Sequence, residues 1–215
     1  MVQRLRITFA RSGGVKYLSH LELMRLWERV LRRAGWRVVH SQGFNPHPKI
    51  SFAAALAVGV AGEAELMEVQ LEVPRRPEEA ARELAGRLPA GIEVRGVEEV
   101  PIEAAGLQRR LRAAEYVAMC PSGLSDDRLR LEVHRILSAG SLVRSRKREG
   151  KVQEYDLRPM IRSLEMVQGP AGRLGIRMEL RTDAQGAGRP DEVLREMGLE
   201  PADCEITRLR LLLDE

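Results

Sequence analysis

Alternation at every second residue and apolar spacing at every third or fourth exclude one another within a segment, so their order along a chain restricts its fold. In these 215 residues the order is strand, helix, strand, strand, helix, strand, and it runs twice. Arg4-Leu5-Arg6-Ile7-Thr8-Phe9 alternates as a half-buried strand. After the turn Arg11-Ser12-Gly13-Gly14, Ser19-His20-Leu21-Glu22 reads as a capping box. Leu23, Met24, Trp27, Val30, Leu31 and Ala34 follow at helical spacing, and Gly35 stops the helix. Arg25, Glu28, Arg29, Arg32 and Arg33 then fall on the outward side. A short strand over Trp36–His40, an extended apolar stretch Ile50–Ala57, an alternating strand Glu65–Val73, a helix from Pro77 to about Leu88 and a strand Ile92–Val100 complete the first half.

The second half repeats this order. Glu115–Cys120 reads as a strand, and Ser125–Leu137 as a helix with Leu129, Val133, Ile136 and Leu137 on one side. Ser141–Ser145 and Val152–Ile161 flank a basic turn, Leu174–Arg181 is a strand, Pro190–Met197 a short helix and Cys204–Leu213 the last strand. The expectation is an α+β protein of two tandem ferredoxin-like (βαββαβ) domains, each an antiparallel sheet with helices on one face. Residues 1–100 would form the first domain, 101–114 a linker and 115–215 the second.

Charge is distributed unevenly. Residues 1–60 carry ten Lys/Arg and only two acids, Glu22 and Glu28, while the whole chain is +4, so the remainder is net acidic. Such asymmetry points to an anionic partner for the first portion, nucleic acid above all. No apolar run is long enough to span a bilayer, and Met1-Val2-Gln3-Arg4-Leu5-Arg6 lacks the apolar stretch of a signal peptide, so a cytoplasmic location is expected. The two cysteines, Cys120 and Cys204, are far apart and fall in no metal-binding spacing, so they read as buried small hydrophobes rather than a disulfide. There is no P-loop, no GxGxxG after a strand, no HExxH and no local Ser-His-Asp signature, which makes ATPase, dehydrogenase and zinc-hydrolase readings poor.

One segment answers to no hydrophobic core. Ser41-Gln42-Gly43-Phe44-Asn45-Pro46-His47-Pro48-Lys49-Ile50-Ser51 holds two Xaa-Pro steps, one ring, one cation and several hydrogen-bonding side chains. Proline stiffens such a loop and keeps it out of the helical region. A rigid loop rich in donors suits an anionic or polar ligand. The candidate ligand-binding and RNA-binding residues are therefore Ser19, His20, Arg25, Arg29, Arg32 and Arg33 on the first helix, and Ser41, Gln42, Phe44, Asn45, His47 and Lys49 in the loop. Arg146, Lys147, Arg148 and Lys151 join them on the basic turn, and Arg158 in Tyr155-Asp156-Leu157-Arg158-Pro159. Asp156 and Arg158 share a strand face and are expected to pair across it. No catalytic residue is assigned. An alternative reading makes His20 with His47 or Lys49 the acid and base of metal-independent RNA cleavage.

The Tyr17–Arg25 block with its Ser-His-Leu, the Ser41–Ser51 block and Tyr155–Pro159 resemble the radical-SAM-linked bacterial proteins of unknown function. That resemblance implies a separately encoded radical SAM partner carrying an iron–sulfur cluster, S-adenosylmethionine and in some cases cobalamin. It implies no cofactor in this chain. The protein would be an accessory that presents or recognises a substrate, with RNA modification or processing as the setting. The element order also resembles the tandem ferredoxin-like RNA endonucleases of CRISPR systems, a likeness at the level of fold. A third reading is a protein-interaction module that docks the radical SAM partner without nucleic acid.

Overall fold

The computed structural model describes residues 2–121, 123–148, 151–183 and 185–214, excepting the side chains of residues 146–148, 151 and 171. The chain is α+β, and it divides into two compact units, Met1–Leu111 with Leu213–Glu215, and Arg112–Leu212.

In the first unit β1 (Gln3–Arg11) leads to α1 (His20–Arg33), β2 (Ile50–Phe52), β3 (Ala61–Leu71), α2 (Pro77–Ala85), β4 (Ile92–Val100) and a single turn, α3 (Leu107–Arg110). The strands order as β2-β3-β1-β4. Every pairing is antiparallel, with Arg6 opposite Glu68 on β3 and Glu98 on β4. β1 alternates as its sequence demands. Leu5, Ile7 and Phe9 are fully buried in the core with Leu23, Trp27, Val30 and Leu31 of α1, Met67, Val69 and Leu71 of β3, and Leu84 of α2. A row of aromatic edge contacts ties α1 to the sheet: Phe9 meets Trp27 at 5.0 Å and Phe52 at 6.1 Å. Such pairs are worth about 1 kcal/mol each beyond their buried area.

The expected strand over Trp36–His40 is reduced to bridges, and the reason is local. Val39 N donates to Gln70 O, while Val39 O accepts from Lys49 N at 2.7 Å. The chain therefore runs along β3 at Val38, leaves it, and returns at Ile50, which pairs with Val69. Residues 40–48 are the excursion. The extended stretch expected to Ala57 stops pairing at Phe52.

In the second unit β5 (Leu111–Met119) precedes α4 (Asp126–Ser138), the hairpin β6 (Val143–Arg148) with β7 (Lys151–Asp156), β8 (Ile161–Gln168), β9 (Leu174–Asp183), β10 (Gly186–Ala187), α5 (Pro190–Glu196) and β11 (Glu205–Leu213). β9 lies between β5 and β8, and β11 borders β5 on its other side. Leu129 and Ile136 of α4 are buried, as are Leu164, Ile176, Met178, Leu180, Val193 and Leu194. β5 starts four residues before the expected Glu115. β8 was not separable from the preceding hairpin by pattern. Its pairing to β9 shifts register between Ile161 and Ser163, which breaks the two-residue period that marks a strand.

Candidate functional site

Of the ten basic residues in the first sixty, three turn inward. Arg4 and Arg6 both grip Glu68, and Arg11 is fully buried and donates to the carbonyls of Lys16 and Leu18. The charge counted from sequence therefore overstates what solvent meets. The α1 arginines behave differently. Arg25, Arg29, Arg32 and Arg33 are exposed, at the spacing of one helix face. Arg29, Arg32 and Arg33 make no side-chain hydrogen bond or ion pair among the described residues. Elsewhere arginines are commonly paired: Arg75 with Glu83 at 2.8 Å, Arg135 and Arg144 with Glu196, Arg195 with Asp191.

At the start of α1 the capping box forms. Ser19 Oγ accepts from Glu22 N at 3.3 Å and donates to Glu22 Oε2 at 2.7 Å, and Ser19 N donates to the same oxygen at 2.8 Å. The Ser19 hydroxyl and backbone hold the Glu22 carboxyl below its usual range, with Arg25 adding to the effect. The N-terminus of α1 thus already carries an anion, and Ser19 is committed to it. His20 is exposed and turns its ring edge-on to Phe52, with centroids 5.4 Å apart.

The loop after α1 is closed at its base. Ser41 N donates to His47 O at 2.8 Å, and Ser41 Oγ accepts from His47 N at 3.0 Å. His40 and Pro48 form a bridge below them. Gln42, Phe44, Asn45, His47 and Lys49 are all exposed, and Phe44 is completely so. Gly43 at φ 129° makes the tip that only glycine adopts without strain. The stem meets α1 in a groove of about 250 Å³ lined by Glu28, Arg32, Trp36, Val38, His40, Pro48 and Ile50. Arg32 therefore shares a surface with the loop. Among the described residues no hydrogen bond or ring contact joins His20 to His47; His20 meets Phe52, and the His47 amide donates to Ser41.

In the second unit, the side chains of Arg146, Lys147, Arg148 and Lys151 lie outside the described residues. Arg144 donates to Glu196 at 3.1 Å. Arg158 does not pair with Asp156 across a strand. Its Nη1 and Nη2 donate to the carbonyls of Ile161 and Leu137, closing the end of α4. Asp156 Oδ1 accepts from Leu142 N at 2.8 Å and Arg158 N at 2.9 Å, which holds its carboxyl below the usual range. Asp156 braces the base of the hairpin and Arg158 ties the end of α4 to the start of β8, so the geometry gives the Asp-Leu-Arg-Pro segment a structural task.

Sequence reasoning did not single out Arg87, Leu88 and Pro89. They follow α2 and line a second groove, of about 400 Å³, with Leu26, Arg29, Val30 and Arg33. Read as the end of an amphipathic helix, Arg87 looks like a solvated charge. Among the described residues no group of His, Cys, Asp and Glu is placed to hold a metal, and no helix is long and apolar enough to cross a membrane.

No curated protein matches the chain. Among solved structures it is similar to a chain of a Cbf5-Nop10-Gar1 complex, with a TM-score of 0.51 and 12% identity over 98% of this chain and 50% of that one. It is also similar to a chain of the archaeal box H/ACA sRNP Nop10-Cbf5 complex, with a TM-score of 0.46 and 13% identity over 98% of this chain and 49% of that one. The chain spans about half the length of these relatives, and the first likeness is one of fold. The family described as uncharacterized protein conserved in bacteria (DUF2344) matches residues 4–190, most of the sequence, and the chain belongs to it.

Proposed function

We propose that this protein binds RNA as a non-catalytic accessory of a separately encoded radical SAM enzyme. The proposed setting is RNA modification or processing in the bacterial cytoplasm. The iron–sulfur cluster, S-adenosylmethionine and any cobalamin would reside on that partner. In this reading the two units are tandem ferredoxin-like domains, and the strand order of each supports that. The observation that carries the proposal is the exposed arginine face of α1, where the side chains of Arg29, Arg32 and Arg33 have no partner among the described residues, beside a closed loop that exposes Phe44. Arg25, Arg29, Arg32 and Arg33 neutralise phosphates. Phe44 stacks on a base, and Gln42, Asn45, His47 and Lys49 supply polar contacts.

Four arginines on a single strand imply a log–log salt slope of about −3, or roughly 50-fold weaker binding between 50 and 200 mM salt. The test is a salt titration with a single-stranded oligoribonucleotide in EDTA, with the RNA inspected for integrity. Intact RNA with that slope, reduced by about 1.4 in R29A/R32A, is the expected result. No binding at low salt overturns the reading. Cleavage lost in H20A would replace it with the endoribonuclease. The full exposure of Phe44 also favours a second reading, a loop that docks the radical SAM partner itself. Co-purification lost in F44A, without RNA affinity, would establish that one.

A further inference from the structure

The groove between α1 and the turn after α2 is lined by three arginines and no acidic residue. Arg29 and Arg33 stand one helical turn apart on one wall, and Arg87 forms the other. The remaining lining, Leu26, Val30, Leu88 and Pro89, is apolar. Arg87 is fixed in place: its Nε donates to Arg33 O at 3.1 Å and its Nη1 to Glu83 O at 2.7 Å. It thereby covers carbonyls at the C-terminal ends of both helices, which would otherwise repel an anion. Its Nη2 makes no hydrogen bond among the described residues. A guanidinium already held by two bonds loses little freedom when it takes a ligand. Three like charges around an apolar floor repel one another, and a bound anion relieves that repulsion.

We infer that this groove is a subsite for a phosphomonoester, the phosphorylated end of an RNA strand whose body lies along α1. This rests on the RNA-binding reading above and adds the chemistry of the strand's end. The charge balance selects the end. An internal phosphodiester carries one negative charge, whereas a terminal phosphate carries about −1.5 to −2 near neutral pH and offers three acceptor oxygens to arginine forks. The apolar floor accepts the sugar or base attached to it. The groove beside the loop stem, lined by Glu28 as well as Arg32, has no such excess of positive charge.

The experiment compares one single-stranded oligoribonucleotide bearing a 5′-phosphate, a 3′-phosphate or hydroxyl ends, with adenosine 5′-monophosphate as a separate probe at low salt. The full chain is used with its Arg87→Ala and Arg29→Gln variants. Arg29 is exposed and unpartnered, so R29Q keeps the test valid if loss of Arg87 weakens the fold. One phosphorylated end should bind about tenfold tighter than the hydroxyl form, and either variant should cut that preference below about twofold. Equal affinity for phosphorylated and hydroxyl ends overturns the subsite and leaves RNA binding standing. Monophosphate binding that R29Q weakens, without oligonucleotide binding, supports the subsite and overturns the RNA reading. No binding of either probe overturns both.

Discussion

Glu68 offers the sharpest test of what holds the first unit together. Its side chain is 3% exposed and faces two guanidiniums, those of Arg4 and Arg6, which are 8% and 12% exposed. Oε2 accepts from Arg4 Nε at 3.0 Å and from Arg4 Nη2, and Oε1 accepts from Arg6 Nε at 3.2 Å and Nη2 at 3.0 Å. One carboxylate thus takes two forks. Arg4 has a further carbonyl partner, Ala104 O, and Arg6 a further carboxylate, Glu98, which is mostly exposed. Glu68→Gln keeps the shape, removes the charge, and turns an NH₂ toward one of the forks. Removing one member of a buried ion pair costs about 3–5 kcal/mol, because the charge left behind has no compensation. The Arg6–Glu98 contact and the slight exposure of Arg6 put the expectation at the low end, about 3 kcal/mol. For a unit of this size that lowers the melting temperature by more than about 10 °C. Urea unfolding followed by circular dichroism measures it. The triple variant R4M/R6L/E68L is the control, since an apolar replacement of a buried ionic cluster is often close to neutral. A loss below about 1 kcal/mol for E68Q, or a triple variant as unstable as the single one, would refute this account.

Two further expectations concern the second unit. Asp156 has its carboxyl held below the ordinary 3.8, chiefly by the Leu142 and then the Arg158 amide. Its contribution is therefore present above the unfolded value and lost as pH falls through the folded one. Urea midpoints of wild type and D156N should differ near neutral pH and converge in acid; a pH-independent difference would contradict the bracing role. Cys120 and Cys204 are free thiols whose side chains interact. A hydrogen bond between their side chains pulls Cys120 below its usual range and pushes Cys204 up. Mild oxidation with glutathione disulfide should link them within one chain, releasing reduced glutathione. Peptide mass mapping should show a cross-link that C204S abolishes, and two unlinked thiols would disprove the contact.

The elements were legible wherever one local period ruled. The capping box at Ser19 and Glu22, the burial of Trp27 and Val30 on α1, and the bounds of β4 follow from residues close in sequence. What escaped depends on distant partners. Nothing local shows that Arg4 and Arg6 spend their charge on Glu68, so the basic N-terminal portion looked more available than it is. Nothing local brings Cys120 at the end of β5 to Cys204 before β11, because neighbouring strands, not sequence spacing, set that meeting. Arg87 acquires meaning only when α1 lies beside it and Arg33 O becomes its acceptor.

The two units also show why the candidate residues sit where they do. In each, the chain between the first helix and the strand at the sheet border makes an excursion: residues 40–48 in one, the β6–β7 hairpin in the other. Each is fastened at its base by polar side chains rather than by the core, Ser41 to His47 in the first and Asp156 to Leu142 and Arg158 in the second. Such a clasp separates two demands. The border strand keeps its register, with Ile50 on Val69 and Leu164 on Met178, whatever the excursion carries. The excursion can then hold exposed groups such as Phe44 and Lys49 at little cost to folding, because removing them opens no cavity. Substitutions at the loop tip should therefore change binding while leaving stability intact, whereas loss of the Ser41 clasp should loosen the presentation of every loop residue together.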